Sequence, residues 1–210
     1  MMYFLIFTIL LGLVPFLVTI CSKRRENIMP IFPFVTAVFI ASLYELVGSL
    51  LLKIDVEYWF SIYGLLAFSS IHYFFYNLLQ KRFKKIFIVL TVVFFLFFLL
   101  SILFRTSFDF LTINSFFKAY QTIIILLFSI IWFKRIFENL EVVNLFDSPA
   151  FYFVSGLLIY YCGSVFLFLA ASAIYASDKS NFQYYWLLNI ILNLVLRTLL
   201  IIGIWKARQE

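Results

Sequence analysis

Seven apolar runs of about twenty residues, separated by short polar stretches, decide what this chain can fold into. They cover about 2–21, 30–52, 58–80, 86–104, 115–133, 151–175 and 185–205 of its 210 residues. At about 1.5 Å per helical residue, each is close to the length that crosses about 30 Å of hydrocarbon. Barrel strands would alternate apolar and polar residues over about ten positions; these runs are continuous. The expected fold is all-α, a polytopic membrane protein with a seven-transmembrane-helix bundle as a single domain spanning 1–210. Composition points the same way, with 65% hydrophobic and only 12% charged residues, where soluble domains carry about a quarter charged. Seven spans leave no room for a soluble catalytic domain. Any chemistry is expected in the membrane, in the short loops or on a partner.

The formal net charge is +6, and its distribution matters more than its size. The basic residues fall between apolar runs, so the bilayer is the expected partner and nucleic acid is not. Lys23, Arg24, Arg25, Lys81, Arg82, Lys84, Lys85, Lys134, Arg135, Lys206 and Arg208 are eleven of the sixteen Lys and Arg, and all sit in one alternating set of connections. The other set carries Lys53, Arg105 and Lys179, with Lys118 just inside the fifth run and Asp55, Glu57, Asp109 and Asp178 nearby. Because Lys and Arg collect on the cytoplasmic side, the N-terminus is expected outside and the C-terminus in the cytoplasm of a bacterial inner membrane. Met1 to Ile20 lacks the basic start of a cleaved signal, and Ile20 is a poor neighbour for a lipoprotein Cys21. The first run therefore reads as a retained helix.

The longest connection, KRIFENLEVVNLFDSPA from Lys134 to Ala150, places Ile136, Phe137, Leu140 and Val143 at helical spacing among Glu138, Glu141 and Asn144. That pattern predicts a short amphipathic helix on the cytoplasmic face, either a plain connector or a docking surface. Pro30, Pro33 and Pro149 suit first helical turns. Tyr58, Trp59, Tyr184, Tyr185, Trp186, Trp132 and Trp205 lie near run ends as an aromatic belt. Val92 to Phe98 reads as lipid-facing filler. No internal repeat is evident, which disfavours an inverted-repeat transporter.

Polar residues within the runs are few, and each carries a cost of about 2.5–3.5 kcal/mol if ionised at the bilayer centre. Glu45 lies about 22 Å from Pro30 along its helix. Asn189, Asn193 and Arg197 recur at four-residue spacing, one stripe on one face. His72 lies about 12 Å from Gln80, level with Arg197, and Tyr76 follows one turn later on the same face. Tyr120 and Gln121 fall in the outer part of the fifth run, and Tyr160 sits among Ser155, Gly156, Gly163 and Ser164. Glu45, His72, Tyr76, Tyr160, Asn189, Asn193 and Arg197 are therefore the candidate ligand-binding residues, expected to form a polar cavity between spans two, three, six and seven. Each also has an ordinary reading: Arg197 can snorkel to headgroups, and the asparagines and His72 can glue helices together.

Several chemistries find no footing. One histidine and two isolated cysteines, Cys21 and Cys162, make no metal site, and no HExxH is present. The last run has no mid-span lysine to carry retinal, no GxSxG or phosphate-cradling loop occurs, and no aspartate lies within a run. No catalytic residue, metal or cofactor is assigned, and the chain is not expected to be an enzyme.

The stretch SGLLIYYCGSVFLF, the Asn pair after Trp186, the closing IGIWK and Glu45 within FIASLYELVGSLL resemble small seven-span membrane proteins of Bacteroidetes, whose spans are similar to membrane sensor regions associated with histidine kinases. That resemblance implies a sensory or signalling module. Since these residues contain no kinase domain, its partner is expected to be a separate histidine kinase or other cytoplasmic signalling protein. A small proton- or cation-coupled transporter or channel component using Glu45, and a membrane-embedded lipid-modifying enzyme, are the alternatives.

Overall fold

The computed structural model describes residues 2–21, 28–54, 57–79, 83–103, 110–139, 145–177 and 182–209. Among them there is no strand. Seven long helices run in chain order: α1 Met2–Ile20, α2 Phe32–Leu43, α3 Glu57–Leu78, α4 Lys84–Leu103, α5 Phe110–Asn139, α6 Pro149–Ser177 and α7 Phe182–Ala207. Each matches one apolar run. Six helices are long and apolar enough to cross a membrane; α3 is 22 residues long but carries many Tyr, Ser, His and Asn residues that lower its apolarity.

Two boundaries depart from expectation. α5 does not stop where its apolar run ends, because nothing between Trp132 and Asn139 breaks a helix. Lys134 and Glu138, 3.6 Å apart at i, i+4, support the extra turn. The first third of the expected amphipathic helix is thus the end of α5, and Leu145–Asp147 forms a separate 3₁₀ turn. Residues 140–144 of that expectation lie outside the described residues, as do Lys23, Arg24, Arg25, Lys81, Arg82, Arg105, Asp55, Asp109, Asp178 and Lys179 among the connecting charges. The second departure is in α2, which continues as a π-helix over Tyr44–Leu51. Gly48 leaves room for the Tyr44 ring over it, and that ring stacks on Trp59 of α3 at 4.4 Å. The segment ends in a left-handed Lys53 at φ 52°. π-helical turns are rare and concentrate at functional sites.

Six of the helices close a ring in the order α1, α2, α3, α5, α6, α7 and back to α1, and α4 docks outside it. Small residues set the closest approach. Gly156 and Gly163 of α6 lie against Leu196, Leu199 and Leu192 of α7, and Gly203 of α7 is covered by the Phe153 ring. Without a hydrophobic force between helices in lipid, such close packing supplies much of their attraction. α4 is held by aromatic contacts and polar ties. Phe94 stacks on Phe68 at 3.7 Å and Phe87 on Phe128 at 4.3 Å, and the Tyr120 hydroxyl donates to the Leu90 carbonyl at 2.8 Å. The 92–98 stretch is therefore not uniformly lipid-facing: Phe94 is buried, while Val92, Phe95, Leu96 and Phe97 are exposed.

The two halves of the ring differ. In one half, Phe34, Phe75, Phe128, Phe153, Leu157 and Leu200 belong to a predominantly apolar core. The other half holds the start of α1, the π segment and the facing ends of α3, α5, α6 and α7, and it is hollow.

Candidate functional site

The hollow is a cavity of about 290 Å³ inside the ring. Every ring helix contributes to its wall, and α4 contributes nothing. Of the seven residues picked out by sequence, Glu45, Tyr160, Asn189, Asn193 and Arg197 come together here. The stripe on α7 does so because four-residue spacing keeps one face turned inward. Glu45 joins it from the first turn of the π segment.

Arg197 forms the floor. Its side chain is almost fully buried, and it does not snorkel. One guanidinium nitrogen donates to the Thr8 carbonyl of α1, another lies 3.7 Å from the Glu45 carboxylate, and Nε has no partner among the described residues. The Glu45 side chain is 45% exposed and sits on the cavity wall. Gly12 makes the floor possible. A side chain there would collide with the Ser42 hydroxyl and the Arg197 guanidinium as they are placed, so glycine leaves room for this arrangement of the floor. Asn193 interacts with the Tyr160 hydroxyl and donates to the Asn189 carbonyl at 3.2 Å. Asn189 itself is buried, and its side-chain oxygen has no partner among the described residues.

His72 and Tyr76 lie elsewhere. Both face α4, not the cavity. His72 Nε2 donates to the Phe87 carbonyl at 3.0 Å, because a carbonyl can only accept, and its ring rests on Phe68 and Phe87. Tyr76 meets Phe87 edge-on at 5.4 Å. Depth along the helix places these two residues level with the floor, but their azimuth turns them outward. They tether α4 to the ring.

The wall also holds residues that sequence reading did not assign to it. Lys118 is the main one. It is 8% exposed, and its ammonium lies 3.9 Å from the ring centroids of both Tyr160 and Tyr161 and 5.0 Å from that of Phe168. The sequence places it just inside the fifth run, and the structure makes it a cavity residue. The signal available was its position two turns inside α5. Gln121, one turn on, donates to the Gly64 carbonyl at 3.0 Å and ties α5 to α3. Gly64 faces empty space: a side chain added there meets nothing within 4 Å. Trp59, Phe60, Phe117 and Trp186 complete an aromatic lining. Among the described residues, no group of three or more His, Cys, Asp and Glu could hold a metal.

Among the described residues, fold and site define an all-helical arrangement, six of whose helices could cross a membrane, closed around a cavity of mixed aromatic and charged lining at one end of the bundle. Comparison with protein-family models, curated proteins and solved structures finds no match in any of the three.

Proposed function

We propose that the chain is a seven-span inner-membrane sensory module that binds a small or lipidic ligand in this cavity and signals to a separate cytoplasmic partner. The observation that carries the reading is the cavity at one end of the bundle, ringed by six helices and lined by aromatic surface with a few charged and amide side chains, with a close-packed apolar half behind it. A ligand that fills it touches all six ring helices at once. Its binding energy therefore acts on the packing of the whole ring, which is what a sensor needs. The apolar half favours this reading over conduction or transport, which would require a second opening. The alternating loop charges support seven spans with the cavity outside and Lys134, Arg135, Lys206 and Arg208 at the cytoplasmic end.

The test is a stability screen of the purified protein in lipid nanodiscs against metabolites and lipids, with Gly64→Leu as the control. Leucine there fills the empty space, and it favours the helix over glycine. A true ligand at a hundredfold excess over its Kd raises the wild-type Tm by roughly 5 °C or more and leaves Gly64→Leu unmoved. The same compound should slow amide exchange at 134–139 and 204–209, at the opposite end of the bundle. If no compound shifts the wild type, the cavity is not a ligand site. Concentrative uptake of the compound into proteoliposomes would make the protein a transporter instead.

A further inference from the structure

We infer that the ligand is an anion, a carboxylate on a small apolar body, with its charge held by Lys118 and its body by the aromatic wall. This rests on the reading above that the cavity holds a ligand, and it adds the ligand's chemistry.

The charges of the wall do not balance. Among the described residues, three charged side chains line the cavity: Glu45, Lys118 and Arg197. Glu45 and Arg197 form an ion pair at 3.7 Å. Lys118 lines the cavity from α5, and no described carboxylate pairs with it. Tyr160, Tyr161 and Phe168 surround its ammonium with ring faces. Those faces stabilise a cation through their quadrupoles, yet they supply no countercharge. With no described carboxylate beside it, this nitrogen is placed among the rings to pair with a carboxylate that enters the cavity. One monovalent anion in the cavity brings the set to two positive and two negative charges. Among the described wall residues, a carboxylate ligand gains a charge-assisted bond to Lys118 that a neutral or cationic ligand does not.

The remaining wall fits the rest of such a molecule. The Asn189 carboxamide is 7% exposed with an unpartnered end, and a carboxamide can offer a ligand either a donor or an acceptor. Trp59, Phe60, Phe117 and Trp186 provide flat apolar surface. A volume of about 290 Å³ lies at the small end of ligand sites, which run from about 300 to 1,000 Å³. The body is therefore compact, or it is the head of a longer chain that continues out through the mouth.

The experiment uses the full chain in nanodiscs. Phenylacetate is compared with phenylacetamide and phenethylammonium, and membrane-borne oleate with oleyl alcohol, by calorimetry and thermal shift. The variants are Lys118→Met, which keeps an unbranched apolar stem among the rings; Lys118→Arg, which keeps the charge; and Gly64→Leu. The expected result is binding of a carboxylate but not of its neutral or cationic counterparts. Affinity should fall roughly tenfold or more in Lys118→Met, stay largely intact in Lys118→Arg and vanish in Gly64→Leu. Phenylacetate alone responding assigns a water-borne ligand, and oleate alone assigns a lipid-borne one. Equal or tighter binding of a neutral or cationic probe, abolished by Gly64→Leu but indifferent to Lys118→Met, overturns the anion inference and leaves the cavity reading standing. Binding of no probe to the wild type overturns both.

Discussion

Glu45→Leu is expected to destabilise the bundle by about 3 kcal/mol, and adding Arg197→Met to it is expected to recover most of that loss. The asymmetry comes from burial. The Arg197 side chain is 6% exposed and the Glu45 side chain 45%. Removing the carboxylate leaves a guanidinium whose described hydrogen-bond partner is the Thr8 carbonyl and which has little exposed surface to be hydrated. Removing Arg197 alone strands a carboxylate that the cavity can hydrate, so Arg197→Met should cost only about 1–2 kcal/mol. Removing both leaves a neutral floor of similar volume, and replacing a whole buried ion pair by apolar groups is often close to neutral. Reversible unfolding in bicelles measures each corner of the cycle. Two independent polar contacts would instead give single effects that add to within about 0.5 kcal/mol.

Phe153→Ala should cost about 2.4 kcal/mol, from a void on the order of 100 Å³ at about 24 cal/mol per Å³. Phe153 is 2% exposed, covers Gly203 of α7 and meets Phe74 of α3 edge-on at 6.1 Å. It thus joins three helices in the apolar half. In water the same change would also lose transfer energy. Lipid is as apolar as the core, so that part shrinks here, and lost packing contacts dominate. Leu99→Ala on α4, where Leu99 is 57% exposed, tests the distinction. It should cost close to nothing, since lipid fills the space. Equal losses at both positions, read by the same unfolding assay, would mean that the apolar half is no tighter than the lipid-facing surface.

The seven helices were legible because a spanning run is long, and length survives any uncertainty about packing. Helix ends were less so. Lys134, Arg135 and Glu138 end an apolar run without ending a helix, since all three are good helix formers. The π segment had no sequence mark. It depends on the Tyr44 ring finding Trp59 on another helix. In the site, residues on one stripe were legible together: Asn189, Asn193 and Arg197 stand or fall as one face. Hydropathy gives a residue's depth but not its azimuth. His72 and Arg197 could therefore be placed level and still face different neighbours, with His72 turned to Phe87 of α4. Lys118 was hidden by its charge. A lysine just inside a run is counted with the outer charges, and only the Tyr160 and Tyr161 rings around it show that it belongs to the cavity. The exclusion of α4 from the ring was also beyond reach, because its uniformly apolar sequence fits a lipid face and a core equally well.

The most direct measurement is chemical access to position 189. Asn189→Cys is made with Cys21→Ser and Cys162→Ala, then exposed to a membrane-impermeant thiol reagent from each side of sealed vesicles. A cavity that opens to the outside predicts modification from the outer face only, suppressed when Gly64→Leu is added. A thiol that stays unmodified from both faces, or one that reacts only from the cytoplasmic face, would contradict the cavity or its orientation.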